Sequence, residues 1–135
     1  MQPRDSMFGL TLWATDVFQF ADFLERVAGS VVEQRHPGFA LLRHGPVTIQ
    51  IHDDESYHGH PWFDALHREG MARGIGAELR LQVESASGAF NEALRLGGQS
   101  IAPPYEFEGT LECQVMGPDG YLFSLWQVWN LSPSP

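Results

Sequence analysis

The chain has 135 residues, 43% of them apolar, and no apolar run long enough to span a bilayer, so it reads as one soluble domain with room for a core. Its formal charge of −9 excludes the basic surface that nucleic acids and anionic membranes require, and suits neutral or cationic small molecules. All eight basic residues are arginines, which excludes a Schiff-base lysine and a phosphate-cradling P-loop lysine.

The opening Met1-Gln-Pro-Arg-Asp5 lacks the basic-then-apolar pattern of a signal segment, and this points to the cytoplasm. One cysteine, Cys113, allows no internal disulfide framework and suits a reducing compartment. It shares a strand face with Leu111 and Val115, which predicts a buried, inert thiol rather than a nucleophile.

Residues 8–13 alternate and predict a strand. Asp16 then N-caps a helix carrying Val17, Phe20, Phe23, Leu24 and Val27 on one face, with Gly29 as its stop. Three strands follow, at 30–35, 39–43 and 47–52, the last two joined by a tight turn at His44-Gly-Pro46. The stretch 53–76 is punctuated by proline and glycine and rich in His, Asp and Glu, and Pro61 starts a short helix within it.

The pattern then restarts. Residues 77–83 alternate strictly, and Ser85 caps a helix with Ala86, Ala89, Phe90, Ala93 and Leu94 on one face. Gly97 and Gly98 stop it, and strands follow at 99–102, 111–116 and 121–129. Gly117-Pro-Asp-Gly120 has the chemistry of a hairpin turn, with proline fixing φ and glycine taking the strained position. Residues around Pro133 read as a frayed tail.

Both halves therefore read β-α-β-β-β, and the intervals Asp16–Gly29 and Glu84–Gly97 are both thirteen residues. The predicted fold class is α+β: one domain over 1–135, with module one at about 7–52, a linker at about 53–76 and module two at about 77–129. Each helix covers one face of its sheet, and the remaining faces are expected to enclose a concave cavity, the natural place for a ligand.

The chain resembles the vicinal-oxygen-chelate superfamily of glyoxalases, bleomycin-resistance proteins and extradiol dioxygenases over residues 7–129. The resemblance lies in Thr15-Asp16 with Phe23 and Gly29, in Gly76-Ala-Glu-Leu-Arg-Leu-Gln-Val83, and in Pro118-Asp-Gly-Tyr-Leu-Phe-Ser-Leu125. Gly117 departs from the usual Asp of that last motif, and residues 104–109 lack the frequent Pro-Trp-Gly. The resemblance implies two βαβββ modules forming curved mixed sheets. It also implies metal-ligand positions on the first and last strands of each module, which fall at Gly9, Gln50, Glu78 and Ser124.

Glycine supplies no donor and serine is a poor ligand for such ions, so the expectation is a lost metal site, no cofactor and no catalytic residue. Strand alternation places Gln50 and His52 on one cavity wall, and Glu78, Arg80 and Gln82 on the other. Thr11 and Trp13 share the parity of Gly9, and Trp126 that of Ser124, with Glu112 and Gln114 contributing from the adjacent strand. The expected ligand-binding set is thus Trp13, Gln50, His52, Glu78, Arg80, Glu112, Gln114, Ser124 and Trp126.

Trp13 and Trp126 are suited to stack on a planar or cationic molecule, or to pack against each other or a partner subunit. Glu78 reads as a cation anchor, with an ion pair to Arg80 as the plainer alternative. His52, His58 and His60 beside Asp53, Asp54 and Glu55 have zinc-like spacing, but a solvated polar loop is the favoured reading. His36, His44 and His67 read as loop or surface residues, and Ser124 sits mid-strand rather than on a nucleophile elbow.

Two functional classes follow. The first is a metal-independent homodimeric protein of the bleomycin-resistance type, sequestering an aromatic or cationic compound in a groove between modules or subunits and conferring antibiotic resistance. The second is a glyoxalase- or dioxygenase-type enzyme with a displaced metal site at Gln50, Glu78 and His52. A third possibility is a dimer that serves as a structural partner elsewhere. One fold hosts many functions, so the resemblance alone does not separate them.

Overall fold

A computed structural model describes residues 7–129, so the tail expected around Pro133 and the opening residues 1–5 lie outside the described residues. The chain divides between Arg73 and Gly74 into two compact units. Each is an α+β unit built around a four-stranded mixed sheet.

The first unit holds β1 (Gly9–Ala14), α1 (Val17–Phe23), β2 (Val31–His36), β3 (Phe39–His44), β4 (Val47–Asp53) and α2 (Pro61–His67). Its strand order is β1-β4-β3-β2, with β1 parallel to β4 and the other pairs antiparallel. The Asp16 carboxylate accepts from the Gln19 backbone N–H at 3.0 Å and starts α1, as expected. The helix continues through a wider π turn over Leu24–Ala28 and ends at Gly29, whose φ of 76° suits a residue without a Cβ. Phe20, Phe23 and Leu24 bury against the sheet face formed by Leu12, Ala40, Leu42, Ile49 and Ile51. Truncating Phe20 to Ala would cost about 3–5 kcal/mol, because nothing else fills that volume.

The second unit repeats the plan with β5 (Glu78–Gln82), α3 (Ala86–Arg95), β6 (Gln99–Phe107), β7 (Thr110–Met116) and β8 (Leu122–Val128). Its order, β5-β8-β7-β6, is the same path through the sheet, again with one parallel pair. Ser85 caps α3 by accepting from the Gly88 N–H at 3.0 Å, and Gly97 follows the helix at φ 95°. Ala86, Ala89 and Ala93 are the buried contacts of α3. Leu94, expected on that face, is exposed: it lies about 100° round the helix from Ala93, and the alanines let the helix sit close to its sheet.

Two further expectations are corrected. Strand β6 does not stop at Ala102 but runs on through Pro103 and Pro104, with its register shifting between Ala102 and Tyr105. Two prolines are tolerated because β6 is an edge strand whose outer N–H groups need no partner. In the hairpin turn the glycine is not alone in the left-handed region: Asp119 (φ 60°) joins Gly120 (φ 79°). Asp is among the residues that adopt that conformation at modest cost.

Candidate functional site

Strand alternation leaves one face of each sheet uncovered by its helix, and those faces carry the polar residues. In the second unit the register aligns Arg80 with Ser124, and Ser124 with Gln114. It likewise aligns Gln82 with Trp126 and Trp126 with Glu112. The face was anticipated; its internal wiring was not. Glu78 does not pair with Arg80: its Oε2 accepts from Gln114 Nε2 at 2.7 Å.

Arg80 instead reaches across β8 to β7, donating from Nη1 to Glu112 Oε1 at 3.1 Å and to Ser124 Oγ at 3.3 Å. Ser124 is fully buried and Glu112 nearly so, at 4% exposure, whereas the Arg80 side chain is 49% exposed. Thr110 Oγ1 completes the arrangement with a 2.7 Å bond to Glu112 Oε2. Burial pushes the Glu112 carboxyl up, but the hydrogen bonds from Thr110, Arg80 and Ser124 and the guanidinium charge outweigh it, and the group stays below its ordinary value. The same bond to Glu112 raises the Arg80 guanidinium, which is a fixed cation.

The row through Glu112 ends in an aromatic rim. Tyr105 on β6 aligns with Glu112, and Phe107 and Val128 flank Thr110, all on the face that carries Trp126. Tyr105, Phe107 and Val128 are exposed, while Trp126 is half-buried. Residue parity after the bulge could not be counted from sequence, so Tyr105 and Phe107 were missed.

In the first unit, Gln50 and His52 stand on the uncovered face of β4 beside Trp13 on β1, as expected. His52 Nε2 and Gln50 Oε1 are 3.2 Å apart, and burial lowers the His52 pKa, favouring the neutral ring. Trp13 is not an open wall. It is 6% exposed, and the Tyr57 ring lies on it at 3.6 Å between centroids and 18° between planes. His60 and Trp62 pack around the same indole at 5.1 and 5.7 Å.

In the His- and Asp-rich linker, Glu55, His58 and His60 are exposed, as expected of a solvated loop, but its start is anchored. Asp54 is buried and receives both Nη atoms of Arg73, whose Nη1 also donates to the Trp13 carbonyl at 3.1 Å. His67 is at the surface as expected and also contacts Asp54 at 3.2 Å, while His44, expected in a loop or at the surface, ends β3 and bonds Ser30 Oγ at 3.0 Å. His58 pairs with Glu55, and the His60 ring caps α2 by accepting from the Trp62 N–H. Among the described residues, no three His, Cys, Asp or Glu side chains are gathered to hold a metal ion.

The metal that the sequence resemblance implies does not fit the residues at its four positions. Gly9 has no donor, and Gln50 is engaged by His52. Glu78 is engaged by Gln114, and Ser124 lies under the Arg80 guanidinium. A cation already stands where the last-strand ligand would offer its oxygen.

No family model and no curated protein matches the chain. Solved structures do. A glyoxalase/bleomycin resistance protein/dioxygenase family enzyme from Burkholderia phytofirmans PsJN aligns at 21% identity over 89% of this chain and 96% of that one, with a TM-score of 0.69. A glyoxalase-related enzyme from Fulvimarina pelagi aligns at 16% identity over 90% and 86%, also at 0.69. TioX from Micromonospora sp. ML1 aligns at 20% identity over 90% and 97%, at 0.62. The chain thus has the glyoxalase/bleomycin-resistance/dioxygenase fold, that of the vicinal-oxygen-chelate superfamily it resembles in sequence. Among the described residues, no helix is long and apolar enough to cross a membrane.

Proposed function

We propose that this protein binds a small planar organic molecule, preferably cationic, without the help of a metal ion. The observation that carries the metal-free part of the reading is the Arg80 guanidinium held over Ser124 by Glu112. A divalent ion placed beside Ser124 would meet that positive charge at close range. At about 4 Å and an effective dielectric near 20, the repulsion is roughly 4 kcal/mol for each unit of charge on the ion.

The ligand class follows from what surrounds the pair. Glu78 and Glu112 against Arg80 leave one net negative charge on this face, and the whole chain carries −9. Trp126 and Tyr105 supply ring surface on the row of Glu112, with Phe107 on the next, while Glu78 stands further along the same face; rings and net negative charge on one face favour a flat cation. The working form is proposed to be a homodimer, since exposed Phe107, Val128 and Trp129 leave apolar surface in water. Sequestration of a toxic compound, in the manner of resistance proteins, is the biological role this chemistry suits.

Titration of purified protein with N-methylquinolinium, followed by tryptophan quenching, tests the reading. Saturable quenching is expected, weaker for neutral quinoline and weaker again in Glu78→Gln. A linear, non-saturating response to both compounds would contradict it.

A further inference from the structure

The reading above concerns the open face of the second unit, yet the first unit contains an aromatic slot that is already filled. Tyr57 lies flat on Trp13 at the separation two stacked aromatic rings adopt, and it leaves the indole almost no exposure. We propose that residues 54–67 form a displaceable lid, in which Tyr57 is the resident occupant of a slot that takes a planar aromatic ligand on Trp13.

The build of the segment supports displacement over permanent packing. No residue of α2 is buried, so the helix contributes nothing to the core of its unit. The segment has its own ring contacts, which travel with it: Tyr57 with His60 at 5.7 Å, His58 with Phe63 at 4.4 Å, Phe63 with His67 at 4.5 Å, and His60 with Trp62 at 5.5 Å. Such a piece can move as a body without losing what holds it together.

Two fastenings to the first unit stand out. One is the ring contact of Tyr57, His60 and Trp62 with Trp13. The other is the Asp54 carboxylate, which grips Arg73 and His67 and so pins the entrance of the segment to its exit. Gly59 (φ 86°) and Gly70 (φ 64°) stand within and just beyond the segment in the left-handed region, where glycine rotates at little steric cost. Breaking the ring contact while the Asp54–Arg73 grip holds gives a flap rather than an unfolded loop. The slot beneath has Trp13 as its base and His52, 5.7 Å from the Tyr57 ring, at its side.

The inference rests on the proposed binding of planar compounds, and two readouts separate its failure from failure of that reading. Hydrogen exchange on the ligand-free wild-type protein is the first. Amides of residues 55–67 are expected to exchange at least tenfold faster than those of β1 and β4, and equal protection would overturn the lid whatever the protein binds. The second is N-methylquinolinium affinity in wild type, Tyr57→Phe, Tyr57→Ala and Trp13→Ala. Removing the resident ring is expected to tighten binding about tenfold, the worth of one aromatic stack, while Y57F behaves as wild type and W13A abolishes the gain. Wild-type binding with no tightening in Y57A overturns the displacement and leaves the binding reading standing. Absence of binding in every variant overturns the binding reading and the displacement with it. The exchange measurement needs no variant, so a misfolded Y57A would not shield the proposal.

Discussion

Arg80 covers Ser124: the guanidinium Nη1 is 3.3 Å from an Oγ that has no exposure of its own, and the same nitrogen is tied to Glu112. A position where the sequence resemblance implies a metal ligand is thus the base of a fixed organic cation. The electrostatics of the whole face follow from it, because Glu112 is ionised and neutralised there while Glu78 is left as net charge.

Replacing Arg80 by Met should destabilise the protein by about 2 kcal/mol, since the buried Glu112 would keep its charge and lose its partner. The cost falls short of that for a fully buried pair because Arg80 is half exposed. Urea unfolding of R80M beside wild type measures it. An unchanged midpoint would mean that the pair is only an exposed surface contact.

Acid should weaken the fold through the same carboxylate. The folded-state pKa of Glu112 lies below its ordinary value of 4.5, so its contribution is complete above that value and is lost as the pH falls toward the lowered one. The stability difference between wild type and Glu112→Gln should therefore shrink on acidification below about pH 4.5. A difference that stays constant down to pH 3 would show that Glu112 has no lowered pKa.

Cys113 should be inert in the folded protein. Burial raises its thiol to about 11, and its Sγ lies 3.7 Å from the Ala86 carbonyl. A chromogenic disulfide reagent at pH 8 should react with less than a tenth of the thiol until denaturant is added. Prompt stoichiometric reaction would place the thiol at the surface instead.

Light scattering on the eluting protein should give twice the 15.1 kDa chain mass, and Phe107→Glu should shift it toward one copy. A monomer at micromolar concentration would leave the exposed rim of the second unit without a partner subunit.

Much of the fold is legible in the sequence because its signals are local. Asp16 and Ser85 announce helix starts through side-chain caps, Gly29 and Gly97 announce their ends, and period-two alternation fixes which of Glu78, Leu79, Arg80 and Leu81 face the core. The wiring of the site is not local. Arg80 meets Glu112 only because β8 lies between β5 and β7, an adjacency that spacing along the chain does not reveal. Tyr57 meets Trp13 from a segment with no periodicity, and Asp54 finds Arg73 across a helix. Proline misled at Pro103 and Pro104, where edge position matters and cannot be read from composition.

Ligand binding without a metal is decided by titrating chelator-treated protein with N-methylquinolinium. Saturable tryptophan quenching should be the same before and after dialysis against EDTA, with no tightening when zinc, nickel, manganese or ferrous iron is returned. Binding that disappears with the chelator and returns with one equivalent of metal would contradict it.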